Sequence, residues 1–234
     1  MELEYGAFSI GKKGRPNEDR YRLLGNKVPL VSRSGRGQLF AVFDGIGGSP
    51  KGRDAAQAMC DSLIQFYKIA IEAPIDATRI FSLLATANME IYNWGFRTGT
   101  TRPLGGCAGT IAWFYEDQLW IFHSGDTVGY LIKGDGINPL TREHGEGNYI
   151  SSYFGQGEKI IIDSFSFPID EGDILVLATD GVTKVMSSES IAASVNQWII
   201  RSPDMAAQQL CEMALQKGST DDITAVVVEI VDLS

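Results

Sequence analysis

Four acidic positions sit where apolar runs begin or end, and carboxylates placed there can bind hard cations. Leu39-Phe40-Ala41-Val42-Phe43 runs into Asp44-Gly45, and Ile174-Leu175-Val176-Leu177-Ala178-Thr179 runs into Asp180-Gly181. Asn17-Glu18-Asp19 leads into one strand-like segment, and Asp221-Asp222 leads into another. An ionised carboxylate set against a core is costly unless a counter-charge meets it, and a bound cation supplies one. With no nearby Cys or His pair, oxygen donors of this kind select Mg²⁺ or Mn²⁺. Each Asp-Gly taken singly also suits a tight turn, and the other two acidic junctions also suit solvated turns. Against a hairpin, Asp44-Gly45-Ile46-Gly47-Gly48 is too glycine-rich, and a helix-like segment, not a partner strand, follows each Asp-Gly.

The elements that must position these aspartates fall into alternating blocks. Tyr5 to Ile10, Arg20 to Leu24 and Leu39 to Phe43 read as strands, the first two separated by the turn Gly11 to Pro16. Apolar residues at helical spacing (Ala55, Met59, Leu63, Phe66, Ile69) predict a helix from Gly52 to Ile71. A second helix runs from Ala77 to Trp94, with Asp76 as its N-cap. Strands return at Thr110 to Phe114, Leu119 to His123 and Val128 to Ile132, the first two joined by the turn Tyr115 to Gln118. Thr141 to Gly157 is polar and glycine-rich and reads as an irregular surface segment. Ile160 to Phe167 and Ile174 to Thr179 are strand-like, and helices follow at Ser188 to Ile200 and Pro203 to Gln216. Ser202-Pro203 is an N-cap and first-turn pair. Ile223 to Val231 is a β-branched last strand. Helical blocks set between antiparallel strand blocks point to an α+β fold, not a doubly wound parallel sheet.

The bulk properties narrow the function. A chain of 234 residues with 44% hydrophobic and 21% charged residues suits one globular domain that needs no disulfide or metal to hold its core. A net charge of −9 argues against a nucleic-acid binder or an electrostatic membrane-surface protein. Cys60, Cys107 and Cys211 are too scattered for a disulfide framework or a zinc site, and read as buried inert thiols. No signal-peptide pattern opens the chain and no apolar run could span a bilayer, so a reduced, cytoplasmic setting is expected.

Five short motifs then occur in a telling order: Arg15-Pro16-Asn17-Glu18-Asp19, Val42-Phe43-Asp44-Gly45-Ile46-Gly47-Gly48, Gly125-Asp126-Thr127, Ala178-Thr179-Asp180-Gly181 and Asp221-Asp222-Ile223-Thr224. In that order, over about residues 5 to 231, the chain resembles the protein phosphatase 2C family, the metal-dependent PPM phosphatases. The resemblance implies a four-layer α-β-β-α sandwich with two central antiparallel sheets, formed by residues 1–234 as one catalytic domain. It implies hydrolysis of phosphoserine and phosphothreonine with two Mn²⁺ or Mg²⁺ ions. It also implies a phosphoprotein partner and a cognate Ser/Thr kinase or that kinase's target. By resemblance Asp44 bridges the two ions, the Gly45 carbonyl binds one of them, and Asp180 and Asp221 complete the second. Glu18 and Asp19 hold metal-bound water or bind directly, Arg15 binds phosphate, and Asp126 with Asp180 supports a third ion in bacterial members. Two cations about 3.5–4 Å apart generate hydroxide from a shared water near neutral pH, so no nucleophilic Cys or Ser is required.

The departures from that pattern are few. Arg15 lies one position closer to the aspartate than in many relatives, and Ile46 stands where animal and plant relatives often carry a histidine, as in the bacterial branch. Thr127 and Val128 replace a serine and an arginine, and Asp222 replaces the usual asparagine, adding charge that would favour a further cation. His123, inside an apolar strand, reads as a satisfied core histidine, and His144, in the polar segment, as a solvent-exposed one. Two other functions share these features: a catalytically silent relative that binds a partner protein, and a metal hydrolase of small phosphate esters. Loss of a core aspartate would favour the first, and none is lost.

Overall fold

The computed structural model describes residues 1–68, 75–100, 102–146 and 149–234. In chain order it contains β1 (Glu2–Ile10), β2 (Arg20–Leu24), α1 (Pro29–Ser32), β3 (Gln38–Gly45), α2 (Gly52–Leu63), α3 (Ala77–Tyr92) and α4 (Trp94–Arg97). There follow β4 (Cys107–Tyr115), β5 (Gln118–Ser124), β6 (Val128–Lys133), β7 (Gly136–Pro139), β8 (Gly145–Glu146), β9 (Tyr149–Ile150), β10 (Asp163–Pro168) and β11 (Ile174–Ala178). The last elements are α5 (Asp180–Thr183), α6 (Ser188–Ile199), α7 (Pro203–Gln216) and β12 (Ile223–Asp232). One sheet has the order β1-β12-β11-β6-β7 and the other β10-β5-β4-β3-β2, antiparallel throughout.

The inner strands β3, β4, β11 and β12 are buried on both faces, which explains why they read as continuous apolar runs. Along β3, Leu39, Ala41 and Phe43 face α2 and α3, while Phe40 and Val42 face the other sheet. Along β12, Ala225 and Val227 face α6 and α7, while Val226, Val228 and Ile230 face inward. Three apolar layers result: Met59, Leu63, Ile80 and Leu84 over one sheet, Val195 and Leu210 over the other, and the Phe40–Phe114–Leu177–Val226 layer between. This is the α+β four-layer sandwich. The same alternation puts Asp44, the next residue of its parity after Val42, at the seam where the two sheets meet.

Local chemistry sets several boundaries. The Asp76 carboxylate caps α3 by accepting the Arg79 N–H, and Ser202 caps α7 by accepting the Met205 N–H. The first long helix gives way at Ile64 to a 3₁₀ turn through Lys68, and Ile69 to Ile71 of the expected helix lie outside the described residues. The second expected helix breaks at Asn93 into α3 and α4. β10 begins at Asp163, not Ile160.

The segment 141–157 is less irregular and less superficial than its composition suggests. It carries the β8–β9 hairpin, and Phe154 is fully buried, bridging to Cys107 and packing edge-on against Phe43. All three cysteines are buried and unpaired, and burial pushes the Cys60 thiol up to about 12. No helix among the described residues is long and apolar enough to cross a membrane.

The two glycines after the strand-end aspartates serve a different purpose from the expected turn. Neither Gly45 nor Gly181 has a positive φ. A Cβ on Gly181 would lie 2.0 Å from the Asp222 carbonyl oxygen, and one on Gly45 would lie 2.6 Å from the carbonyl carbon of Gly52. Close backbone approach is what requires them. Gly181→Ala is therefore expected to cost about 3 kcal/mol by overpacking, read as a lowered urea midpoint, and an unchanged midpoint would refute the close-approach account.

Candidate metal centre

The acidic junctions converge at one end of the sandwich. Asp19 and Asp44 come from neighbouring strands of one sheet, at the start of β2 and the end of β3. Asp180 and Asp221 flank neighbouring strands of the other sheet, after β11 and before β12. Asp126 lies in the crossing from β5 to β6, which links the sheets. Carboxylate oxygens of Asp44, Asp126 and Asp180 all lie within 4.8 Å of one another. With Gly45, Arg15 and Asp221 they line a cleft of about 370 Å³.

These carboxylates lack what an anion at a buried site requires. Among the described residues, the buried Oδ1 atoms of Asp19, Asp126 and Asp180 have no hydrogen-bond partner, a condition that ordinarily costs about 1–3 kcal/mol each and more for a charge. Burial, reinforced by Asp19, Asp180, Asp126 and Asp221, holds the Asp44 carboxyl well above the usual range. Burial likewise pushes Asp19 up to about 7, against the opposing effect of its hydrogen bonds, and Asp126 up to about 6, with the Asp180 charge adding to it. Clustered oxygen donors, orphaned lone pairs and mutual repulsion are what a hard divalent cation relieves. The donor set fits Mg²⁺ or Mn²⁺.

Asp19 is fixed from across the molecule. Its Oδ2 accepts hydrogen bonds from the hydroxyls of Thr179 (2.8 Å), just after β11, and Thr224 (2.7 Å), on β12, both in the opposite sheet's half of the molecule. One oxygen is thus anchored while the orphaned Oδ1 stays available. Both threonines belong to the motifs that carry the resemblance, yet nothing local in the sequence marks them as Asp19 partners, because the contacts span 160 and 205 residues.

The Arg15 loop is organised by Asp222. The Asp222 carboxylate accepts the Lys12 N–H (2.6 Å) and the Glu18 N–H (2.9 Å) and pairs with Arg15 Nη2 at 3.1 Å. Its oxygens serve the loop, where the composition suggested a further cation. Arg15 also pairs with Glu18 and, at 2.8 Å, with Asp221. Glu18 lies outside the cleft, against Arg15 and Gly52. Asp221 lines the cleft, but its oxygens are engaged by Arg15, Lys184 and the Asp222 N–H. Burial raises the Asp221 carboxyl, but the Asp222 N–H, Lys184 and Arg15 outweigh this and hold it below its ordinary value. Asp180, with its buried oxygen unpaired, is raised by burial even though Lys184 pairs with it. Lys184, missed in the sequence, had one legible signal: it lies four residues beyond Asp180 on a helical stretch.

The histidines divide differently. His123 is buried, its Nε2 donating to the Gly125 carbonyl and its Nδ1 accepting from Thr110, which also bonds Thr127. Burial lowers it to about 4, so it is a neutral core histidine. His144 is not solvent-exposed: its side chain is 9% accessible and paired with Asp163 at 3.0 Å. Its backbone N–H donates to the Gly125 carbonyl (2.7 Å), which fastens segment 141–157 to the turn that carries Asp126.

Comparison with known proteins agrees with this architecture. The family model "Protein phosphatase 2C" matches residues 9–215. This chain belongs to the protein phosphatase 2C family. It is 24% identical to protein phosphatase PhpP of Streptococcus pneumoniae over 94% of each chain. It is also 24% identical to a rice "Protein kinase and PP2C-like domain-containing protein", matching over 97% of this chain but spanning only 39% of that longer protein. The crystal structure of the catalytic domain of the serine/threonine phosphatase PstP in complex with two manganese ions superposes with a TM-score of 0.80 at 24% identity, over 98% of this chain and 99% of that one. At that identity the superposition establishes the fold.

Proposed function

We propose that residues 1–234 form one catalytic domain of a metal-dependent phosphoprotein phosphatase that hydrolyses phosphoserine and phosphothreonine. The observation that carries this reading is the convergence of Asp44, Asp126 and Asp180, with orphaned carboxylate oxygens, in the cleft of a protein phosphatase 2C family member. Asp44, Asp180, Asp221, Asp19 and the Gly45 carbonyl would hold two Mn²⁺ or Mg²⁺ ions, with Glu18 in their water shell and Asp126 supporting a third. Bound divalent cations supply hydroxide near neutral pH and neutralise phosphate charge.

The chain's own groups do the rest. Arg15, at the cleft rim and paired here with Glu18, Asp221 and Asp222, would exchange its Asp221 contact for the non-bridging phosphate oxygens. Asp222 and Glu18 set the direction of that guanidinium. Ile46 and Ile150 form apolar walls of the cleft. Neither histidine lines this cleft, so the leaving oxygen takes its proton from water or another group. A phosphoprotein is the substrate, and a cognate Ser/Thr kinase or its target is the natural partner. A cytoplasmic location accompanies the proposal and is supported by the three unpaired thiols.

The test is phosphate release from a phosphothreonine peptide and from a small aryl phosphate ester, each with and without Mn²⁺. Metal-dependent release with the peptide turned over more efficiently is expected. Preference for the small ester would displace the phosphoprotein assignment, and no release by folded, metal-loaded protein would displace the catalytic one.

A further inference from the structure

Asp221 is the candidate ligand that this structure holds in ion pairs. Its Oδ1 accepts from Arg15 Nη2 (2.8 Å) and from the Asp222 N–H (3.0 Å), and its Oδ2 pairs with Lys184 Nζ at 3.3 Å. The same ammonium pairs with Asp180 Oδ2. One lysine therefore spans two carboxylates that the proposed function assigns to the second metal ion. Lys184 lines the cleft, and no other ion pair or hydrogen bond holds its amine among the described residues. It is the C-cap of α5, four residues beyond Asp180, with its side chain 51% exposed, so its flexible stem can carry the amine out to solvent.

An ammonium and a divalent cation seek the same carboxylate oxygens and repel each other. Asp44 and Asp126 make no ion pair with Lys184. Asp180 still turns its unpartnered Oδ1 away from the amine's Oδ2 contact. The carboxylates near the cleft thus divide into a group open to a cation and a group already neutralised by the chain's own cations.

We propose that Lys184 is a tethered counter-ion that competes with the incoming divalent cation for Asp180 and Asp221, so that one metal position fills more weakly than its carboxylates alone would allow. The inference rests on the metal-centre reading above and adds to it a residue that sets metal affinity. Loading is then stepwise: an ion held by Asp44 and the Gly45 carbonyl enters without disturbing Asp221, and an ion that needs Asp180 and Asp221 must displace the lysine. The displaced amine keeps its own charge, so filling the position adds the full charge of the ion while Asp180 and Asp221 exchange one cation for another.

The experiment is calorimetric titration of metal-stripped protein with Mn²⁺ at fixed ionic strength, comparing wild type, Lys184→Gln and Lys184→Arg. Circular dichroism would establish that the variants are folded. In Lys184→Gln the weaker binding event should tighten about tenfold, the size expected when a unit positive charge about 5 Å from a divalent ion is removed in a water-like dielectric. Lys184→Arg keeps the cation and should stay within about threefold of wild type. Unchanged or weaker binding in Lys184→Gln, or equal tightening in Lys184→Arg, would overturn the proposal. If neither wild type nor Lys184→Gln binds Mn²⁺, the metal-centre reading fails and the proposal with it, an outcome visible as absent heats instead of equal affinities.

Discussion

Asp180→Asn is expected to reduce Mn²⁺-dependent phosphate release by about a thousandfold or more while leaving the protein folded. Asp180 belongs to the three-carboxylate cluster, ends the run that forms β11, and presents a buried oxygen with no partner. Asparagine keeps the shape and removes the charge. Metal-ion stabilisation of a transferring phosphoryl group is worth several kcal/mol, and about 4 kcal/mol corresponds to a factor of a thousand in rate. The mutant should also lose the i,i+4 pair with Lys184, a partly exposed contact worth only a few tenths of a kcal/mol. Single-turnover release from a phosphothreonine peptide, with circular dichroism as the folding control, separates loss of chemistry from loss of structure. Activity within tenfold of wild type would remove Asp180 from the centre.

The second large effect is on stability. In a chelator, the folded protein should become less stable as pH rises from 6.5 to 8, and saturating Mn²⁺ should reverse the trend. Asp44, Asp19 and Asp126 all have folded-state values raised above an ordinary 3.8, Asp19 to about 7 and Asp126 to about 6. The folded state therefore binds more protons than the unfolded chain, and the stability these groups contribute is lost as pH climbs through the raised values. His123 works in the opposite direction. Lowered from 6.5 to about 4, it adds stability as pH rises between those values. Above 6.5 the histidine adds only about 0.4 kcal/mol more before its effect ends, less than Asp19 and Asp44 remove, so the carboxylates decide the sign. Asp19 alone contributes a loss of about 1 kcal/mol over that interval, a fall in Tm of about 3 °C for a chain of this size, and Asp44 adds to it. With Mn²⁺ at a hundred times its dissociation constant, binding adds about 2.7 kcal/mol to the folded state, and deprotonation then favours the complex. Differential scanning fluorimetry at three pH values, with EDTA or Mn²⁺, reads both arms. A Tm in EDTA that is flat or rising above pH 6.5 would contradict the buried-carboxylate picture.

What could be read in the sequence followed from strong local patterns. β3 and β12 are apolar on both faces because each lies between a helical layer and the opposite sheet, so their runs stand out in any window. Ser202-Pro203 and Asp76 announce their helices through capping chemistry that depends only on neighbours. The strand-end aspartates are conspicuous because a charge interrupts an apolar run. Less was visible where the deciding partner is remote. Among the described residues short β7 pairs only with β6, and the paired β8 and β9 hide in a polar stretch. Phe154 is buried by β3 and β4, which precede it by dozens of residues. His144 is shielded by Asp163, nineteen residues on. The close approach of Gly181 to Asp222 and the double clamp of Thr179 and Thr224 on Asp19 exist only once two strands of one sheet meet the edge of the other.

The position of the last strand has a temporal consequence. β12 pairs with β1 on one side and β11 on the other, so without it that sheet separates into unconnected pieces. Asp221, Asp222 and Thr224, which fix the Arg15 loop and Asp19, arrive with it. During vectorial synthesis, a nascent chain that has exposed Asp19, Asp44, Asp126 and Asp180 still lacks the strand that brings the two sheet edges into register. On the proposed reading, competence for metal and catalysis is then acquired in one late step, when β12 emerges from the ribosome and inserts between β1 and β11.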